Sequence, residues 1–204
     1  MHSVLEILEE ATASAGPDLI SLDELKLMLG ITDSSEDAAL QAAITRQSRI
    51  IAEYCDRRFG FAQALETFTF DPGENMLARE ALVLSLYPVV EVLEISNMGS
   101  DADYDLDPAS GRLWIGGGWP DVVAVTYSGG YDLPEEAPAR LQMAVAQAVN
   151  EGRTSGTRDP SIREVQHGDT RISYFTNQLS TASSGYLSAP VVDLIRPYRR
   201  LYVA

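Results

Sequence analysis

Four aspartates alternate in Asp101-Ala-Asp103-Tyr-Asp105-Leu-Asp107. A calcium loop begins this way, because a hard cation takes carboxylate oxygens from alternate residues. Such a loop also needs glycine at its sixth position and glutamate at its twelfth. Here those positions hold Leu106 and Arg112. The run therefore reads as one solvated arm of a hairpin. A divalent-ion module or metal-dependent enzyme built on Asp101–Asp107 is the alternative from a different class. His167, Asp169 and Ser173 supply the residue types of a nucleophile with its base. They lie in a Gly- and Ser-rich stretch with no strand-to-helix elbow, and His2 stands beside the terminus. Cys55 is the single cysteine, so no intramolecular disulfide is possible. It reads as a small core residue, with Arg57 and Arg58 the nearby cations able to lower its pKa. Gly116-Gly-Gly118 lacks the Lys-Ser/Thr of a phosphate loop and precedes Trp119-Pro120, so it reads as a turn. No catalytic residue, metal site or cofactor emerges, and the chain reads as a non-enzyme.

The residues that do suggest function sit at the end: Arg196, Tyr198, Arg199, Arg200 and Tyr202. Arginine and tyrosine are favoured anchors at interfaces. An extended segment can also add to a partner's sheet edge. These residues read as a docking peptide.

Charge frames that reading. The 204 residues carry a formal charge of −15. Residues 1–152 hold 8 Lys and Arg against 26 Asp and Glu, whereas residues 153–204 hold 7 Arg against 4 acids. An acidic body cannot grip a phosphate backbone, which calls for clustered cations. A chain of this length builds a core without staples. No basic leader and no run of about 20 apolar residues is visible, so a protein without a membrane span, inside the cell, is expected.

The elements that must position these groups follow from periodicity. Val4, Leu5, Ile7, Leu8 and Ala11 share a face of a short amphipathic helix over 3–14, broken at Gly16-Pro17. Ser21-Leu-Asp-Glu24 is a capping box, and Leu22, Leu25 and Leu29 give a helix over 21–30 ended by Gly30. Asp33-Ser-Ser-Glu36 starts a long helix over 36–58. Its stripe is Leu40, Ile44, Gln47, Ile51 and Tyr54; Arg57-Arg58 suits its dipole, and Gly60 stops it.

The period then becomes twofold. Strands are expected at Glu66–Phe70, Ala81–Leu86, Val89–Ile95, Asp103–Leu106, Arg112–Ile115 and Val122–Tyr127, a β module over 66–128. Pro134-Glu-Glu136 opens a helix over 134–152 with Leu141, Val145, Ala148 and Val149 as its stripe and Gly152 at its end. Residues 153–189 read as extended or disordered, with one strand at Arg171–Phe175. Pro190–Ile195 is a short helix cut by Pro197. The fold class is α+β: a helical bundle with an inserted small antiparallel β module and an extended C-terminal tail. Residues 1–17 are an N-terminal extension, 18–152 the body, and 153–204 the docking segment.

This order resembles the head–tail connector, or adaptor, proteins of long-tailed bacteriophages and gene transfer agents. The resemblance rests on four blocks. They are Ile20–Ile31 with the helix ending Ile51–Phe59; Leu86–Val92, Tyr104–Leu113 and Val125–Tyr131; Pro134 and its helix; and Ala189–Arg200. The extension before Gly16 and the long tract at 153–189 depart from the pattern. The resemblance implies a structural ring, commonly twelve-fold, beneath the portal protein in the virion neck. Double-stranded DNA would pass through it without sequence-specific binding. A stopper or tail terminator would follow on the tail side. Pro190, Leu194, Ile195, Arg196, Tyr198, Arg199, Arg200 and Tyr202 would dock on the portal.

Overall fold

A computed structural model describes residues 2–10, 18–71, 81–96, 103–156, 164–167, 170–173 and 187–200. Two units make up the chain: Met1–Pro17, Asp56–Glu136 and Arg200–Ala204 form one, and Asp18–Cys55 and Ala137–Arg199 the other.

The first unit is built of strands. They are β1 (His2–Glu10), β2 (Ala62–Thr69), β3 (Ala81–Val83), β4 (Val89–Ile95), β5 (Tyr104–Asp107), β6 (Arg112–Ile115) and β7 (Val122–Gly129). One sheet has the order β1-β2-β7-β4 and the other β3-β6-β5, with antiparallel pairing throughout. Each run expected from the twofold period holds a strand, but β2 starts at Ala62 instead of Glu66 and β3 stops at Val83 instead of Leu86.

The N-terminal helix expected over 3–14 is corrected: His2–Glu10 is a strand. Val4, Leu5, Ile7 and Leu8 satisfy both periods, because Leu5 and Ile7 also alternate. Pairing with β2 decides for the strand, since Leu5 and Ile7 then reach the core. Both sheets line that core, with Phe68, Leu82, Leu113, Trp119, Val125 and Tyr127 all buried. Phe61 N–H to Tyr131 C=O and Tyr131 N–H to Phe59 C=O, each 2.8 Å, tie the two ends of the unit's central segment together.

The second unit is mainly helical. It holds α1 (Leu22–Leu29), α2 (Asp37–Cys55), α3 (Ala139–Gly156), α4 (Ala189–Ile195), a 3₁₀ turn at Arg196–Tyr198, and the hairpin of β8 (Glu164–His167) and β9 (Thr170–Ser173). Ser21 Oγ accepts from Glu24 N–H at 3.2 Å, and Gly30 closes α1 in the left-handed region at φ 67°. Leu40, Ile44, Ser48, Ile51 and Cys55 form the buried stripe of α2. Ser48 lies in it because its hydroxyl accepts the Leu19 N–H at 3.1 Å, which sets the chain entering α1 against α2. Leu141, Val145, Ala148 and Val149 are buried on α3, as the period requires.

Three helix boundaries differ from expectation. α2 stops at Cys55, where Asp56 turns left-handed at φ 48°, three residues before Arg58. Gly60 therefore bridges to Tyr131 and stops no helix. Pro134-Glu-Glu136 is a turn, and α3 begins at Ala139 behind Pro138, whose carbonyl accepts the Leu141 N–H. α3 also runs past Gly152 to Gly156, since one glycine costs a helix only about 1 kcal/mol. Within the tract expected to be extended, a hairpin forms, and the strand read at Arg171–Phe175 is Thr170–Ser173. The rest of that tract, 157–163, 168–169 and 174–186, lies outside the described residues, as does Tyr202.

Candidate functional site

The docking residues read from the sequence are sorted by α4 and the turn behind it. Ser188 occupies the N-cap position with extended backbone, and Pro190 sits in the first turn, where a missing N–H costs nothing. Ser188 Oγ donates to Glu151 Oε1 of α3 at 2.9 Å, fixing the start of α4. Val191 and Ile195, four residues apart, are fully buried. This part of the tail is therefore a folded helix packed on α3 and not an extended arm. Its buried stripe wins because Val191 and Ile195 cover the apolar side of α3. The Ile195 carbonyl lies 3.9 Å from Cys55 Sγ, and Cys55 is itself fully buried. Pro190, Arg196 and Arg199 remain exposed, with Leu194 and Tyr198 half-buried. The Arg199 guanidinium stands 5.7 Å from the Tyr54 ring centroid.

Arg200 belongs to a buried polar network that the sequence reading missed. Glu66 is fully buried on β2, on the face shared with Phe68 and Ala64. A carboxylate there must be fully partnered, because desolvating an ion costs several kcal/mol. Ser85 N–H donates to Oε2 at 2.8 Å and Ser85 Oγ to Oε1 at 2.6 Å. Tyr127 Oη donates to Oε2 at 2.8 Å and accepts from Leu86 N–H at 3.0 Å. Arg200 Nη2 lies 3.4 Å from Oε1 and 3.3 Å from Ser3 Oγ. Burial, and then the Glu66 charge, push the Tyr127 phenol well above its ordinary range. The signal was in the phase: Glu66, Phe68 and Phe70 share parity, so an inward-facing strand had to carry the glutamate inward.

Arg57 is the second correction. It does not serve the dipole of α2. It is buried, donates to the Tyr87 carbonyl, and places its guanidinium 3.3 Å from the Tyr87 ring centroid and 5.1 Å from that of Phe59.

The chemical motifs do not converge. Asp103, just before β5, and Asp105 on it are exposed, and Asp107 holds the following turn through Ala109 N–H and the Ser110 hydroxyl. The Ser110 bond is the main reason its carboxyl lies below the ordinary 3.8. Asp101 lies outside the described residues. Among the described residues no three His, Cys, Asp or Glu side chains gather where they could hold a metal. The hairpin register pairs His167 with Thr170 and Ser173 with Glu164, so the backbones of His167 and Ser173 are at opposite ends, about 10 Å apart. Asp169 is outside the described residues. Gly117 and Gly118 make a turn at φ 96° and 83° before the buried Trp119. No helix among the described residues is long and apolar enough to cross a membrane.

Residues 18–150 match the head completion protein family. None of the curated proteins matches the sequence. The fold is similar to a chain from the neck of an empty GTA particle computed with C6 symmetry: TM-score 0.55, 18% identity, over 98% of this chain and 97% of that one. It is similar to a chain from the neck of the native GTA particle computed with C12 symmetry: TM-score 0.50, 18% identity, over 98% of each. A chain from the virion of the native gene transfer agent particle gives TM-score 0.55 and 18% identity, over 98% and 97%. At that identity the likeness is one of fold.

Proposed function

The chain belongs to the head completion protein family, and from that premise we propose that it is a structural subunit of the neck of a phage or gene transfer agent particle. The observation that carries the reading is the family match across 18–150, joined by a likeness of fold that runs the length of the chain.

In this proposal copies assemble as a ring beneath the portal, commonly twelve-fold, and extend the DNA channel. The charge of −15 suits a channel wall, because like charge on wall and phosphate gives no attractive hold and DNA slides. The portal side uses the surface around α4. Pro190, Arg196 and Arg199 offer exposed contact, with Leu194 and Tyr198 beside them and Tyr202 following. Ile195 anchors that surface from beneath, and Arg200 is engaged by Glu66. The tail side presents a platform to the next neck or tail protein. The deciding experiment is electron microscopy of particles made without this chain. Filled heads and separate tails that never join are expected; normal tailed particles would overturn the proposal.

A further inference from the structure

The sheet β1-β2-β7-β4 has two faces, and among the described residues only one lies on the core. Its strand register describes the other. One row across it runs Val4, Thr67, Ala124. The next runs Glu6, Leu65, Thr126, Glu94, and the next Glu9, Gln63, Ser128, Glu91. The two central strands place no charge on this face. Every carboxylate in these rows stands on β1 or β4, the two edges.

The same face gathers apolar surface. Val4 (56% exposed), Val90 (64%), Leu93 (48%) and Val122 (49%) share it. Val90 and Leu93 are the extra residues where β4 bulges against Ser128 and Thr126, and they are exposed while Val89 and Ile95 are buried. Leu8 is extra in the same way on β1. Five of the nine large apolar side chains exposed among the described residues thus lie on one sheet face. Val4, Leu8, Val90 and Leu93 stand on the edge strands beside the carboxylates, and between them runs an uncharged centre of Gln63, Leu65, Thr67, Ala124, Thr126 and Ser128. Exposed apolar side chains gathered on one face with a charged rim mark an interaction site.

We infer that this face is the docking surface for an amphipathic helix of a second particle protein, with an apolar stripe flanked on both sides by Lys or Arg. The edge strands are about 14 Å apart, three strand spacings, and a helix with its side chains is about 10–12 Å across. A helix laid along the central strands would cover Leu65, Thr126 and Val122. Its flanking cations would reach Glu6 and Glu9 on one side and Glu91 and Glu94 on the other. The rim repels phosphate and anionic lipid alike. A second copy apposed through the same face would set these carboxylates against their own equivalents. The α1 helix of a second copy, which exposes Leu27 and Met28, brings Asp23 and Glu24 and no flanking cations on both sides.

The inference rests on the neck reading, and its test separates the two. A photo-crosslinking amino acid replaces Thr126 in the full chain, and particles are isolated and the crosslinked peptides sequenced. Attachment to a Lys/Arg-flanked helical segment of another particle protein is expected. The crosslink yield should fall about tenfold or more when Glu91→Lys and Glu94→Lys are combined. Attachment to a second copy or to the chain's own residues would overturn the inference. So would a yield unchanged by the charge reversal, or no crosslink in particles that contain the chain. A chain that never enters particles sinks the neck reading and this inference together.

Discussion

Glu66 and Asp107 are both strand carboxylates, yet their surroundings give them opposite consequences. Glu66 is fully buried and serves Ser85, Tyr127 and Arg200 at once. Glu66→Ala takes the carboxylate away from those donors and should cost about 3 kcal/mol, read by denaturant unfolding. Tyr127→Phe keeps the shape and should cost about 1–2 kcal/mol. A smaller loss for Glu66→Ala than for Tyr127→Phe would mean that the carboxylate is not the hub. Asp107 is at the surface, and its folded pKa lies below its ordinary 3.8, mainly through the Ser110 hydroxyl. A depressed carboxylate stabilises the fold above the unfolded value and ceases to as pH falls through the folded one. Asp107→Asn should therefore lower stability at neutral pH, and the difference from the unsubstituted chain should shrink as pH falls through the folded value, which lies below 3.8. A gap that widens on acidification would reverse the assignment.

At the scale of elements, two glycines separate strain from crowding. Gly117 and Gly130 both have positive φ, at 96° and 103°. A Cβ on Gly117 meets nothing within 4 Å, whereas one on Gly130 would sit 2.5 Å from the Gly60 carbonyl oxygen. Gly117→Ala should cost about 1–2 kcal/mol from the backbone alone. Gly130→Ala should cost distinctly more, because it forces apart the segments that join Gly60 to Tyr131. Equal midpoints for the two variants in thermal unfolding would contradict this. Capping is a smaller effect: Ser21→Ala should cost about 1 kcal/mol, since Glu24 N–H loses its acceptor.

At the scale of the molecule, packing of the C-terminal helix changes how docking must be tested. Truncation at Gly185 removes Val191 and Ile195 along with the exposed residues, so it would uncover α3. Ile195→Ala alone should cost about 2–4 kcal/mol as a core truncation. The double change Arg196→Glu and Arg199→Glu alters only exposed groups. It should leave the unfolding midpoint nearly unchanged while abolishing binding to purified portal rings. Retained binding with the fold intact would move the docking surface elsewhere.

Periodicity alone determined α1, the body of α2, the core face of α3, the six strands of the β module and the terminal helix, because each depends on local spacing and end signals. The family resemblance was legible for the same reason: it rests on the order of those elements. Tertiary structure alone decided the rest. His2–Glu10 fits a helix and a strand equally until β2 supplies a partner. The phase of β2 put Glu66 inside, but only the fold brings Ser85, Tyr127 and Arg200 to it from 19, 61 and 134 residues away. The charge count described an acidic body. The strand register alone confined the carboxylates of one sheet face to its edges and left its centre uncharged, because which residues become neighbours across strands is fixed by pairing and not by sequence distance.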